Sequence, residues 1–400
     1  ERVTARPRPR AVAVSPLGYV SVSCHAAGVD TFPVESDGTL VAKSVHRAAL
    51  RVGSPSDFRT ALGRTFGLRG TRATGATVHP ETGSVLVANV QADPGSTDGV
   101  INQLLGLSGS TDGYGAPAGI DGEPSVPTRP IEVTVTETLA GERTPVQAAL
   151  PVQDPQTGFP MAQVVDQPSD IHHHPTWTLA FLVGMGTDNV LVLNTREGDP
   201  MRSPLAIIDV GGMPESIAFS DDGATAYVLD SHDFTVSEID LAPLLTMQPR
   251  AQRVVGGDDE DTPMVFFEFE EPTLVDPEWE ATKPLRLTRE RAVAFGSDPA
   301  PEAVRRGRKV FHDATNPRLS HAGQFACASC HLEGAEDKLV WFITDGPRQT
   351  PALAGRLADT APFNWSGTKV ELKSNMEQTI ERMGGDGLDA DELDDLEAFL

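Results

Sequence analysis

One local pattern recurs along the first 245 residues and constrains the fold more than any other feature. It is a short apolar strand, a tight turn rich in Gly, Asp or Pro, and a second apolar strand. The best copy runs Glu215-Ser-Ile-Ala-Phe-Ser-Asp-Asp-Gly223 and continues Ala-Thr-Ala-Tyr-Val-Leu-Asp230. A matching copy is Ala76-Thr-Val-His-Pro-Glu-Thr-Gly83-Ser-Val-Leu-Val-Ala-Asn89, and weaker ones are Ile171 to Val183 around Trp177 and Ala11 to Val22 around Gly18. Residues alternate across a strand and a two- to four-residue turn reverses it, so each copy predicts a β-hairpin. The turn positions 18, 83, 177 and 223 are spaced by 65, 94 and 46 residues, and 94 is about twice 47. A blade-sized unit with insertions accounts for that spacing. Hairpin repeats of roughly 40–50 residues cannot bury their faces alone and predict a β-propeller of four to six blades.

These hairpins resemble the repeats of YVTN-type propellers of bacterial surface and periplasmic proteins. Within the repeats, Ser108 to Pro130 reads as a long loop between blades, because Gly, Pro, Asp and Ser dominate it. The chain opens at Glu1 without an apolar leader, which reads as a mature form or an excised piece; in the second case a full ring needs residues missing from its start. The predicted organisation is multidomain. An all-β propeller spans 1–255, an acidic linker with a closing strand spans 256–284, and an all-α domain spans 285–400.

The third part rests on texture and on one motif. Pro301 stands at a helix start, and Ala303, Val304, Gly307, Val310 and Phe311 fall on one face of the helix that follows. Asp389-Ala-Asp-Glu392 reads as a capping box ahead of Leu393, Leu396 and Phe399. The two helices are expected to cross with Gly307 beneath Phe399.

Between them lies Cys327-Ala-Ser-Cys330-His331, the C-x-x-C-H attachment signature of c-type haem. Two thiols separated by two residues can each form a thioether to one porphyrin, and the adjacent imidazole is thereby delivered to the iron. A zinc site would want a second Cys/His pair at similar spacing, and the remaining cysteine, Cys24, is remote. A thioredoxin-type C-x-x-C would sit in a βαβ context, which the flanks do not show. One covalent haem c per chain is therefore expected, with Cys327, Cys330 and His331 holding it, which makes the all-α domain at 285–400 a cytochrome c-like domain on this reading. Covalent haem attachment is completed outside the cytoplasm, so the expected location is the periplasm or another exported compartment.

Five segments occur in the order found in the haem domains of the di-haem cytochrome c peroxidase superfamily, which residues 300–400 resemble. They are Gly307-Arg-Lys-Val-Phe311, the C-x-x-C-H, Thr350-Pro-Ala-Leu353, Pro362-Phe-Asn-Trp-Ser-Gly367 and a final helix. The resemblance implies a distal methionine, and Met383-Gly-Gly385 matches the segment that supplies it; Met376, seven residues earlier, is the alternative. Arg348 and Arg356 are propionate partners on this reading, Trp341 and Trp365 haem-edge residues, and His312 and His321 alternative ligands. Two departures stand out. Trp365 lies where the peroxidases often carry His, and this chain has one C-x-x-C-H rather than two.

Composition narrows the partners. With 32 Lys+Arg against 57 Asp+Glu, the net charge of −25 disfavours nucleic acid and anionic membranes and suits a basic redox partner protein. No apolar run of 18 residues predicts a transmembrane helix. His172-His-His174 could bind a metal, but adjacent strand residues face opposite sides, so a structural role is expected. The functional expectation is electron transfer through one haem, with the propeller docking a partner or substrate. The alternative is a peroxidase-like oxidoreductase with an open distal site.

Overall fold

Each of the four hairpins begins its own sheet. In the computed structural model, which describes residues 5, 8–24, 28–41, 46–48, 69–92, 131–138, 146–149, 165–195, 204–245, 285–320, 323, 325–337, 339–343, 346–355 and 357–400, four sheets follow one another along the chain. Sheet 1 contains β1 (Pro9–Ser15), β2 (Tyr19–Cys24), β3 (Gly28–Pro33) and β4 (His46–Ala48). Sheet 2 contains β5 (Arg69–Val78), β6 (Val85–Ala92), β7 (Ile131–Thr138) and β8 (Val146–Ala149). Sheet 3 is built on β9 (Pro168–His173), β10 (Leu179–Gly184), β11 (Asn189–Asn194) and β12 (Pro204–Asp209). Sheet 4 is built on β13 (Pro214–Phe219), β14 (Thr225–Asp230) and β15 (Thr235–Asp240), followed by one helical turn, α1 (Ala242–Leu245).

The turn chemistry explains the hairpins. Gly18, Gly83 and Gly223 adopt φ of +81°, +68° and +71°, which glycine reaches without steric cost. Two turns share a histidine device: His79 Nδ1 accepts the amides of Glu81 and Thr82, and His174 Nδ1 accepts those of Thr176 and Trp177. The triple histidine therefore diverges. His174 is buried and bonded at 2.8 Å to the Gly223 carbonyl of the next sheet, His173 bonds Thr195 at 2.9 Å, and His172 lies 3.4 Å from Asp170 in a more exposed position. Cys24 is buried, and none of the three cysteines is in a disulfide.

The first strands carry the stacking: β1 packs on β5, β5 on β9 and β9 on β13. Antiparallel four-stranded units joined through their first strands make a propeller-like β fold. Alternation distributes the core. On β10, Ala180 and Leu182 face the cluster shared with Leu86 and Val133 of sheet 2, while Phe181 and Val183 face the cluster shared with Ile217 and Val228 of sheet 4. Both faces are covered, so β10 and β11 are buried throughout and read as continuous apolar runs.

Residues 285–294 depart from the predicted boundary. β16 (Leu285–Thr288) pairs in parallel with β12, and β17 (Arg291–Ala294) pairs antiparallel with β15, so this segment completes sheets 3 and 4. An open strand edge presents unpaired backbone groups, and pairing it with a distant segment satisfies them. No local periodicity signals such a partner. The acidic linker 256–284 and the loop Ser108 to Pro130 lie outside the described residues.

Beyond Ala294 come α2 (Glu302–His312), α3 (Cys327–Cys330), a hairpin of β18 (Val340–Ile343) and β19 (Gly346–Gln349), α4 (Leu372–Arg382) and α5 (Ala390–Phe399). The all-α expectation thus needs correction, because the aromatic and β-branched run Val340-Trp-Phe-Ile343 pairs as a strand. The capping box is present, with Asp389 accepting the Glu392 amide at 2.9 Å and Glu392 accepting the Asp389 amide at 3.0 Å. α2 and α5 also cross at Gly307 as expected. A Cβ there would lie 1.9 Å from the Asp395 carbonyl oxygen and 2.9 Å from Phe399 Cβ. Arg306 forks onto the Asp395 carboxylate at 2.6 and 2.8 Å beside that crossing.

This helical unit sits across one end of all four sheets. Glu333 pairs with Arg10 of sheet 1 at 2.5 Å, and Phe325, Trp341 and Met383 pack on Val90, Ala92 and Ile131 of sheet 2. Lys309 reaches Asp188 between β10 and β11 at 3.2 Å, and Arg308 reaches His232 between β14 and β15 at 3.4 Å.

Candidate functional site

Cys327 and Cys330 occupy one turn of helix, so their side chains emerge on the same side. The turn is closed at both ends. Ala326 precedes it in extended conformation and its amide donates to Ser329 Oγ at 2.9 Å, while the His331 amide donates to the Cys327 carbonyl at 2.9 Å. His331 leaves helical geometry at φ −108°, ψ 47°, and Glu333 and Gly334 at φ +57° and +67° turn the chain away.

Both thiols and the imidazole border a cavity of about 410 Å³. Its wall is largely apolar: Phe311 from α2, Trp341 from β18, Leu353, Leu357 and Ile380, with Leu396 and Leu400 from the last helix. Both methionines open onto it. Met376 lies on α4 and packs with Phe311, Ala328 and Leu396, whereas Met383 ends α4 and packs with Ala326, Trp341 and Ile380. Each is buried.

One wall is held by a carboxylate. Asp337 is buried and accepts the Trp341 indole N–H at 2.7 Å, the Thr350 hydroxyl at 2.8 Å and the Leu339 amide at 2.9 Å. Three donors to one carboxylate offset its desolvation and fix the orientation of the Trp341 ring. At the rim, Trp365 is 59% exposed and its N–H donates to the Gln349 carbonyl at 2.8 Å. Arg348 and Arg382 also line the cavity.

Of the residues assigned from sequence, Cys327, Cys330, His331, Trp341, Arg348, Trp365, Met376 and Met383 line this one cavity. His312 does not. Its Nδ1 bonds the Gln167 side chain at 2.8 Å, and burial pulls the imidazole down to about 4, so it stands neutral against the sheets. His321 and Arg356 lie outside the described residues. Arg382 and the Asp337 hub were missed from sequence. Arg382 adjoins Met383, which was the available signal, whereas nothing local marks Asp337 as the partner of Trp341.

The thiol chemistry separates the readings of C-x-x-C. Burial pushes the Cys327 thiol up to about 11, opposite to the lowered values that make a dithiol reactive. Among the described residues, no group of three or more His, Cys, Asp or Glu side chains converges as a metal site.

No protein-family model matches the chain, and no curated protein matches it. Solved structures do. Hydrazine synthase of Kuenenia stuttgartiensis is 13% identical with a TM-score of 0.35, matching 61% of this chain and 49% of its own. A protein of unknown function from Bacteroides caccae is 14% identical with a TM-score of 0.32, over 60% of each chain. The β-propeller domain of Cps50 (Swd1) from Myceliophteria thermophila is 11% identical with a TM-score of 0.33, over 65% of this chain and 57% of its own. The chain spans about half to three-fifths of the structures it matches. At such scores the likeness carries no argument of its own, and the propeller-like architecture rests on the strand order described above. Among the described residues, no helix is long and apolar enough to cross a membrane.

Proposed function

We propose that this chain is an exported c-type cytochrome that transfers electrons through one covalently held haem, with the sheets as the scaffold that presents it to a partner. The observation that carries the reading is convergence: two thiols one helical turn apart, the adjoining imidazole and two buried methionines border one apolar cavity. Its volume falls within the ~300–1,000 Å³ of small-molecule and cofactor sites. Cys327 and Cys330 would hold the porphyrin by thioethers, His331 would bind the iron, and Met383 or Met376 would offer a thioether as a further ligand. Arg348 and Arg382 can each offer charge-assisted hydrogen bonds to carboxylates at the rim. Haem supplies one-electron iron chemistry when bound. Asp337 fixes the Trp341 ring in the apolar wall of the cavity.

The similarity of residues 300–400 to the haem domains of the di-haem peroxidase superfamily, joined to a YVTN-like propeller, supports the same reading. Export to the periplasm follows from the need to attach haem outside the cytoplasm. The net charge of −25 favours a basic redox protein as partner.

Thiol titration of the denatured, exported protein tests attachment directly. One titratable thiol, Cys24, is expected; three would mean that Cys327 and Cys330 carry no thioethers and would sink the proposal. The visible spectrum then tests ligation. A low-spin spectrum with the weak methionine–iron charge-transfer band is expected, lost in Met383→Ala and kept in Met376→Ala. A high-spin wild-type spectrum would instead support the peroxidase-like alternative with an open distal site.

A further inference from the structure

Two residues at the entry to sheet 3 reach into the helical unit. Asp166 and Gln167 are both buried, at 0% and 3% exposure, although neither belongs to a recognisable motif. A buried carboxylate is costly unless hydrogen bonds compensate it. The Asp166 carboxylate accepts the hydroxyl of Ser329, the residue just before the second cysteine of the C-x-x-C-H turn. Ser329 has one proton to give. With that proton committed to Asp166, its oxygen is turned toward the Ala326 amide, which it accepts at 2.9 Å, and that amide begins the helical turn carrying both thiols.

Gln167 holds the neighbouring element. It adopts φ +48°, a left-handed backbone rare outside glycine, asparagine and aspartate. In that conformation its Nε2 donates to the His312 carbonyl at 2.8 Å and its Oε1 faces His312 Nδ1 at 2.8 Å, closing the end of α2. Gly186 makes room. A Cβ there would lie 2.5 Å from Gln167 Nε2, and its own carbonyl accepts the Ala314 amide at 2.8 Å. The strand-side backbone is pinned in turn, with the Gly186 amide donating to the Asp166 carbonyl and the Met185 amide to that of Gln167, both at 3.1 Å.

We propose that Asp166 is a positioning residue for the C-x-x-C-H turn, so that sheet 3 forms part of the haem site rather than a module merely tethered to it. Its functional meaning rests on the haem reading above; its structural content does not. Carried on one corner of the sheet, Asp166 orients Ser329 and through it the two cysteines and His331, while Gln167 keeps α2 and Phe311 in place.

The test compares full-length exported protein with Asp166→Asn, Asp166→Ala and, as a control, Arg10→Ala on the exposed part of the same seam. Hydrogen exchange at the amides of residues 326–331 is read first. Asp166→Ala should quicken exchange at Ala326 by about tenfold, as for loss of one buried hydrogen bond. Asp166→Asn retains an oxygen for Ser329 and should stay close to wild type, as should Arg10→Ala. Reduction potential is read second: Asp166→Ala should shift it and Asp166→Asn should leave it close to wild type, because only the first removes the acceptor that orients Ser329 behind the turn. Unchanged exchange at residues 326–331 in Asp166→Ala would overturn the proposal. If Asp166→Ala does not fold, the near-isosteric Asp166→Leu, which also lacks an acceptor, takes its place, and unchanged exchange at residues 326–331 in that variant would overturn it. Wild-type protein without haem would instead overturn the haem reading, and the exchange comparison would still decide the role of Asp166.

Discussion

Sheet 3 meets its two kinds of neighbour in opposite ways. Against sheets 2 and 4 it presents apolar side chains, Leu182 and Leu191 to one side and Phe181 and Val190 to the other. Against the helical unit its buried contacts at Asp166, Gln167 and Gly186 are hydrogen bonds. Apolar packing scales with area and tolerates small rotations of one sheet on the next. A buried hydrogen bond fails when its partner moves by an ångström, so it specifies orientation while adding little net stability. The stacking therefore supplies cohesion, and the seam supplies the register of the helical unit on the sheets.

The comparison can be broken most severely in the sheets. Leu182→Ala removes a wholly buried side chain and should cost about 2–5 kcal/mol, read as a lower urea midpoint. The cavity is built from other elements, so the spectrum of the folded fraction should not change. Altered ligation in that variant would mean that the two regions are not separable.

Gly307→Ala addresses the other region. A methyl group 1.9 Å from the Asp395 oxygen must push α2 from α5, at a cost of about 1–3 kcal/mol. Here the exchange of residues 326–331, and the visible spectrum if the proposed haem is bound, should be perturbed while exchange in β10 and β11 remains slow. A uniform loss of protection would argue that sheets and helices unfold as one unit.

Acid acts on both regions at once. Burial lowers His173 in sheet 3 and His312 at the seam from 6.5 to about 4. In each case the unfolded chain binds a proton that the folded chain refuses, so stability rises with pH across that window. The contribution is complete above about 6.5 and lost as pH falls toward about 4, on the order of 2 kcal/mol for each residue. Urea midpoints followed over this range should flatten by comparable amounts in His173→Gln and His312→Gln. No flattening in His312→Gln would show that water reaches the seam.

The smallest effect is expected at Arg10→Ala. Its bidentate pair with Glu333 at 2.5 and 2.7 Å lies near the surface, where such pairs contribute about 0–1 kcal/mol. A larger loss in thermal midpoint would mean that the seam is held at its rim rather than at Asp166 and Gln167.

What could be read along the chain was local. Gly18, Gly83 and Gly223 mark turns because their backbone demands φ > 0, and each opens a sheet. Asp389 and Glu392 cap α5 because they lie three residues apart, and Gly307 marks a helix crossing because a Cβ has no room there. The C-x-x-C-H turn was local for the same reason: two thiols and an imidazole within five positions come to border one cavity together. The boundary at 285 was misplaced because β16 and β17 take their partners from β12 and β15, about fifty to eighty residues earlier. Asp337 was invisible for a different reason, since an acidic residue in a polar stretch shows its function only once Trp341 and Thr350 point at it.

The sequence by itself determined the repeated hairpins, the helix ends, the C-x-x-C-H turn and the charge of the chain, because propensity, turn conformation and capping act within a few residues. Only the tertiary structure decided that the helical unit lies across the ends of all four sheets, that both methionines reach one cavity, and that Asp166 stands behind Ser329. Those contacts join residues up to 323 positions apart. Their energy depends on burial and on hydrogen-bond geometry, which exist only once the chain has closed around them.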